Sequence, residues 1–457
     1  MNRQRFGALL LAGAAVSGII TGAVLWGLTA DAPLSSGVQL GGYSLAGVRP
    51  SALGYHLERL RLVWADQPVV VAQAPTITTR LKEWGVELDV ATTQATIIRA
   101  WQRVPLWQRL LGKPRLYLEP QWAILPELFQ AQLERYRFLE RAPVDARVSL
   151  VDGQVVITPS QDGRRLDLNA STQNLIRALR QLPAPRTEFE LAFTTIPPRL
   201  RTEDIQPIRS IIASYTTRFS AAQRLRTHNL RLAANALNGI VLLPGERLSY
   251  NQVVGKRTAK RGFQLAPVII NGEKQLGIGG GVCQVSSTLF NAALLSDLTI
   301  VRRANHAIPV DYVPLGRDAT VVDGAIDLVI ENPFDHPIAI ATEVKRSTLT
   351  VHILGVPREG RRIVLRTERY ALPTPPVKHI PDPSLPEGMQ RVLKKGSAGF
   401  RVVLWREVYE HGQLVRRERV AISTYRAQPR VVAVGTKPRL KPTPPETPQP
   451  TDDEQLE

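Results

Sequence analysis

Hydrophobic and polar positions change texture several times along the 457 residues. Residues 6–30 carry no charge and follow Arg3 and Arg5. As a helix, such a run crosses a ~30 Å hydrocarbon core, and its positive flank stays inside. It therefore predicts an uncleaved single-pass anchor, with residues 1–31 as cytoplasmic stub plus span and the bulk of the chain outside the cytoplasm. A cleaved signal peptide is the rival reading, although the candidate Ala30-x-Ala32 site is followed by Pro33, a poor residue there.

Residues 34–200 contain an internal repeat. Gly85-Val86-Glu87-Leu88-Asp89-Val90 leads into Ile98-Arg99-Ala100, and 78 residues later Gly163-Arg164-Arg165-Leu166-Asp167-Leu168 leads into Ile176-Arg177-Ala178. Each copy predicts a turn, a short strand and a helix, with Thr93 or Ser171 as the cap. Asp89 and Asp167 read as structural rather than catalytic. Before the second copy, alternating apolar positions flank Asp152-Gly153, a hairpin signal.

Pro197-Pro198 marks a boundary, after which 3.6-residue periodicity predicts a helix over residues 224–237, stopped at Asn238-Gly239. Residues 205–355 mix glycine-rich turns with short strands such as 326–330. Residues 360–437 alternate as a β domain, with a hairpin at His411-Gly412, and the Pro-rich, acidic tail 438–457 reads as disordered. The predicted class is α+β and multi-domain: anchor, duplicated α+β module, central α+β domain, small β domain.

Charge and cysteine content sharpen this picture. Lys and Arg number 58 against 40 Asp and Glu, a formal charge of +18. With no nucleic-acid motif and an exported bulk, that surplus fits lipid head groups and wall polymers rather than nucleic acid, although charge spread this evenly also describes a plain solvated surface. The seven histidines lack ligand spacing and no phosphate-binding loop is present, so neither metal nor cofactor is expected.

The one cysteine, Cys283, cannot form an internal disulfide. It stands where Gly277-Ile278-Gly279-Gly280-Gly281 runs into an apolar helix, and a helix start favours the thiolate. His306 follows as the candidate base, since histidine is the usual activator of a cysteine nucleophile. Asp318 is the candidate orienting acid, with Asp323 and Asp311 as alternatives. Backbone N–H groups at Cys283 and Gln284 are candidate oxyanion donors. Gly280, Gly281, Gln284, Ser286 and Arg317 are candidate substrate contacts. The competing reading is a buried core cysteine in a non-catalytic binding module.

The central segment resembles the VanW family, associated with vancomycin-resistance clusters. The resemblance rests on Leu243-Pro244-Gly245-Glu246-Arg247-Leu248-Ser249-Tyr250-Asn251, Val254-Gly255-Lys256-Arg257-Thr258, Gly279-Gly280-Gly281-Val282-Cys283-Gln284-Val285-Ser286, His306-Ala307-Ile308-Pro309-Val310 and the run Tyr312 to Val321. The family tends to have phenylalanine where Leu248 stands. Residues 145–200 resemble a peptidoglycan-binding domain, and 365–437 resemble a five-glycine domain through Gly388, Gly396, Gly399, Gly412 and Gly435. The order of glycine turn, cysteine, histidine and aspartate is also similar to that of transglutaminase-like acyl-transfer folds. These resemblances imply a cell-envelope protein with peptidoglycan or another wall polymer as partner. The function is then either Cys–His amidase or transpeptidase chemistry or non-catalytic wall binding and scaffolding; oligomeric state is left open.

The topology is testable directly. Protease added to intact spheroplasts should digest the chain beyond residue 31, because the anchor leaves that part outside. Protection of the folded part would refute the orientation, and release into the medium would indicate cleavage.

Overall fold

A computed structural model of the protein describes residues 31–111, 114–270 and 273–438. The expected anchor at residues 6–30 and most of the Pro-rich tail lie outside the described residues. Among the described residues no helix is long and apolar enough to cross a membrane. The chain forms two compact units: one comprises the chain up to Val144 together with Gln161–Arg199, and the other Asp145–Ser160 together with everything from Leu200.

In the first unit the duplication extends to individual hydrogen bonds. The strand Val86–Leu88 runs into helix α1 (Val90–Gln102), and Gly163–Leu166 runs into helix α2 (Leu168–Ala178). The caps are Asp89 and Asp167, whose carboxylates accept from the N–H of Thr92 and Ala170, both at 2.9 Å. Thr93 and Ser171, expected as caps, instead lie one turn inside the helices and are buried. Their hydroxyls accept from the N–H of Gln121 and Ala192 at 3.1 and 3.0 Å. The reason is local: an aspartate just before the first helical residue reaches the free N–H groups more directly. Each copy then closes with an antiparallel pairing, Val86–Leu88 with Trp122–Ile124 and Gly163–Leu166 with Phe193–Ile196. The core centres on fully buried Trp84, whose ring lies 5.1 Å from Phe129, 5.8 Å from Tyr136 and 5.2 Å from Phe189.

The second unit is built on a four-stranded antiparallel sheet: β1 (Ser210–Arg218), β2 (Ile240–Leu242), β3 (Ile338–Lys345) and β4 (Thr348–Gly355), in the order β1-β4-β3-β2. Helix α3 (Arg224–Leu237) falls where the periodicity places it. Helix α4 (Val282–Leu295) is buried along nearly its whole length, its polar side chains Gln284, Ser286, Ser287, Thr288 and Asn291 hydrogen-bonded within the fold. It packs with the sheet in one core that includes Leu230, Val285, Leu289, Ile340 and Val351. The Asp152-Gly153 hairpin pairs Arg147–Val151 with Gln154–Thr158. Its sequence neighbours lie in the first unit, yet Ala146 and Val148 bury against Val241, Ala339 and Leu354 of the sheet.

The C-terminal β region comprises two three-stranded sheets. Arg361–Ala371, Phe400–Glu410 and Gln413–Tyr425 form one; Lys378–Pro386, Val431–Lys437 and Gln390–Lys394 form the other. It docks on the sheet-and-helix part through charge as well as apolar contact. Asp297 at the end of α4 is ion-paired with Arg361, Arg406 and Arg416.

The aromatic core of the first unit predicts a measurable cost. Trp84→Ala should destabilise that unit by about 3–5 kcal/mol, the usual range for deleting a fully buried large aromatic. The change should appear as a lowered urea midpoint for its unfolding. A shift within error of zero would show that Trp84 does not organise the core.

Candidate functional site

The site forms where the glycine run enters α4. Gly281 immediately precedes the helix at φ 106°, a conformation open to glycine and costly for other residues. It turns the chain so that Cys283 falls in the first helical turn. The thiol is partly exposed and lines a cavity of about 430 Å³, along with Arg226, Arg257, His306, Tyr312 and Asp323. Its sulfur lies 3.5 Å from the carbonyl oxygen of Val321.

His306 and Asp318 lie on a loop without regular structure, and α4 holds that loop in place. The Ser286 hydroxyl donates to the Ala319 carbonyl at 2.7 Å, and the Ala319 N–H donates to the Ser287 hydroxyl at 2.9 Å. Asn291 donates to the Arg317 carbonyl at 2.7 Å and accepts from the Arg317 guanidinium at 2.7 Å. Asp318, only 1% exposed, is thereby presented to His306. Its Oδ2 accepts from the His306 backbone N–H at 2.7 Å and pairs with His306 Nδ1 at 2.6 Å. Its Oδ1 accepts from Arg303 at 3.2 Å and from the Tyr425 hydroxyl.

The electrostatics follow from this geometry. Burial opposes the carboxylate of Asp318, but hydrogen bonding to His306 and the charge of Arg303 outweigh it and hold its pKa below the ordinary value. An ionised Asp318 makes Nδ1 the protonated nitrogen, leaving Nε2 to exchange a proton with a neighbour. Burial likewise opposes a charged His306, but hydrogen bonds to Asp318 and Cys283 prevail and raise it to about 9. Burial pushes the Cys283 thiol up, while hydrogen bonding to His306, the His306 charge and Arg257 pull it to a net value below that of a free thiol. Cysteine and histidine therefore favour a thiolate–imidazolium pair. Burial first, and the nearby Cys283 charge second, hold the Tyr312 phenol well above its ordinary pKa.

Among the expected residues, Cys283, His306 and Asp318 converge. Gly280, Gly281 and Gln284 line the cavity, but the polar atoms of Gln284 are engaged. It donates to Thr217 at 3.0 Å and to the Arg218 carbonyl at 2.8 Å, and accepts from Arg226 at 2.8 Å. The Gln284 N–H donates to the Gly281 carbonyl at 3.0 Å, so this expected oxyanion donor is committed to the turn. Ser286 and Arg317 are not among the cavity-lining residues; both act on the loop that carries Asp318. Asp323 sits on the cavity rim and Asp311 is exposed. Arg257, Tyr312 and Tyr425 are the residues that pattern reading did not single out. Arg257 and Tyr312 lie in distinctive blocks of sequence, but Tyr425 is 107 positions from Asp318, with no local signal.

Among the described residues no group of three or more His, Cys, Asp or Glu side chains could hold a metal ion. Comparison with known proteins finds three family models that match successive segments of the chain. In order along the chain, residues 134–186 match the family described as "Putative peptidoglycan binding domain", 225–354 match "VanW like protein" and 364–437 match "G5 domain". The chain thus carries a VanW-like domain that contains Cys283, His306 and Asp318. It is 47% identical over 129 residues to the uncharacterized protein YoaR of Bacillus subtilis (strain 168), covering 28% of this chain and 43% of that one. It is 35% identical over 118 residues to the Vancomycin B-type resistance protein VanW of Enterococcus faecalis (strain ATCC 700802 / V583), covering 25% and 43%. The chain thus spans under half the length of either relative. Among solved structures, the HP0197 G5 crystal structure shares 25% identity over 16% of this chain and 97% of that one, with a TM-score of 0.12. The G5 domain of IgA1 protease shares 30% over 17% and 93%, with a TM-score of 0.13.

The pairing of Cys283 with His306 predicts a pH signature. Iodoacetamide should label Cys283 in the folded protein at lower pH than an ordinary thiol, which ionises near pH ~8.5. His306→Ala removes the largest of the influences that pull the thiol down and leaves burial pushing it up, so the labelling midpoint should rise. An unchanged midpoint, or labelling only after denaturation, would make Cys283 a core residue.

Proposed function

We propose that the VanW-like domain is a cysteine-dependent acyl-transfer or amide-hydrolysing enzyme that acts on the peptides of peptidoglycan. The peptidoglycan-binding module holds it at the wall, and the apolar run at residues 6–30 anchors it in the membrane. The observation that carries the catalytic reading is the buried Asp318–His306 pair set against Cys283 at the start of a helix beside an open cavity. A binding module needs neither an oriented imidazole nor a depressed thiol, and such perturbed groups cluster at reactive sites.

The chemistry follows from the three side chains. The Cys283 thiolate attacks the carbonyl carbon of a peptide amide, forming a C–S bond and a tetrahedral oxyanion. On collapse, the C–N bond breaks and imidazolium His306 gives its proton to the leaving amine. The resulting thioester is opened by water, with His306 taking the proton, which yields a carboxylic acid and restores the pair. Where a second amine attacks instead, the product is a new amide and the reaction is a transpeptidation. Asp318 keeps Nδ1 protonated and the ring oriented throughout. The name of the Enterococcus relative ties that protein to vancomycin resistance, and remodelling of wall peptides is a chemistry through which this chain would serve a similar end.

The test is muropeptide analysis of purified peptidoglycan after incubation with the full chain. New acid or cross-linked products should form, vanish with Cys283→Ser, and fall by about 10²–10⁴ with His306→Ala. If the Cys283→Ser protein gives the same products, Cys283 is not the nucleophile; if the wild type gives none while still co-sedimenting with the wall, the protein is a scaffold.

A further inference from the structure

Two groups lining the cavity are buried without a hydrogen-bond partner among the described residues, the Thr320 hydroxyl and Arg257 Nη1, and of these Arg257 carries the charge. Its side chain is 9% exposed, and Nη1 is buried with no hydrogen-bond partner. The nearest acid, Asp323 Oδ1, is 3.8 Å away, beyond hydrogen-bonding distance. A guanidinium donor shut away from water and left unpaired is costly, so its retention here calls for a reason.

The rest of the side chain is held in place. Nη2 donates to Asn251 Oδ1 at 2.6 Å, and Asn251 is itself fixed by donating to the carbonyls of Val322 and Ile326 at 3.1 and 2.9 Å. The guanidinium lies over the Tyr250 ring at 5.7 Å, while the Tyr250 hydroxyl donates to the Val282 carbonyl next to Cys283. The stem passes so close to Gly279 that a Cβ there would meet it at 3.1 Å. Arg257 is therefore pre-positioned beside the nucleophile with one nitrogen free. The cavity it lines is also positive on balance: with Cys283 and His306 compensating each other, Arg226 and Arg257 are set against Asp323.

We propose that Arg257 binds a carboxylate of the substrate, which makes the cavity selective for acidic peptide groups close to the bond attacked by Cys283. A carboxylate accepts a charge-assisted N–H bond from a guanidinium nitrogen, which meets the need at Nη1 directly. Asp323, on the exposed turn at the rim, competes weakly for the same group. This assignment rests on the acyl-transfer reading for its meaning, but it can be tested without turnover.

The probes are N-acetyl-alanine and its primary amide, titrated into full-length protein carrying Cys283→Ser. The acid should bind about tenfold or more tightly than the amide, in line with a charge-assisted pair. The preference should disappear in Arg257→Gln and largely survive in Arg257→Lys. Asp323→Asn should increase acid affinity by removing the competitor, a gain that a merely structural Arg257–Asp323 contact would not give. Equal or absent binding of acid and amide, or a preference that persists in Arg257→Gln, overturns the assignment. Should Arg257→Gln fail to fold, the acid-to-amide ratio in the parent protein and in Asp323→Asn decides. Turnover of peptidoglycan without acid preference removes only the role of Arg257; acid preference without turnover keeps that role and removes the catalysis.

Discussion

The site depends on one buried carboxylate. Asp318 is 1% exposed, and an ionised carboxylate in that position is tolerable only when its oxygens are fully satisfied. Four donors do so: the His306 N–H and Nδ1 on one oxygen, Arg303 and Tyr425 on the other. Removing any of them leaves charge unpaired in a closed space, so the loop, the helix that holds it and the C-terminal strand that covers it are bound to one another. The same constraint raises His306, because an imidazolium is the partner that a fixed anion favours.

Tyr425 carries a structural consequence. It belongs to the strand Gln413–Tyr425, in the region that matches the G5 domain, yet its hydroxyl donates to Asp318 and accepts from the Gly316 N–H at 2.7 Å. Arg303 reaches the same strand, donating to Ser423 at 2.7 Å, and the Arg426 N–H donates to the Ala307 carbonyl at 2.9 Å. The C-terminal domain is thus part of the wall around the histidine and its acid, and no apolar patch alone would fix the register of that contact. Burial, together with the charge of Asp318, holds the Tyr425 phenol far above its ordinary pKa; it stays protonated and remains a donor.

How much of this was legible in the sequence depended on the range of the interaction. Helix Arg224–Leu237 emerged with both ends in place, because periodicity and the Asn238-Gly239 stop are local. The repeat was visible for the same reason, but its caps were misplaced: a threonine and a serine near a helix start look like caps until the aspartate four residues earlier is seen to reach the free N–H groups. Cys283, His306 and Asp318 could be nominated by residue type and order, with Asp323 and Asp311 left as alternatives to Asp318. Only the brackets from Ser286, Ser287 and Asn291, which read as helix-face residues, select Asp318. Tyr425 and the free nitrogen of Arg257 were out of reach, since one is a contact across 107 positions and the other is defined by the partner it lacks.

That contrast bears on how the two charged groups of the site should be understood. Asp318 is saturated: its donors come from this chain, and nothing is left for a ligand to supply. Arg257 is equally confined but unsaturated, held at Nη2 by Asn251 and beneath by Tyr250 while Nη1 has no acceptor. A fold that brings four donors to one buried acid has the means to supply one more acceptor to a buried arginine, and Asp323, 3.8 Å away, is a small rotation short of doing so. In the proposed reading the saturated group orients chemistry, and the unsaturated one is where a substrate adds binding energy. On that reading orientation falls to Asp318 behind His306 and recognition to Arg257 in the cavity wall, so each can be altered without dismantling the other.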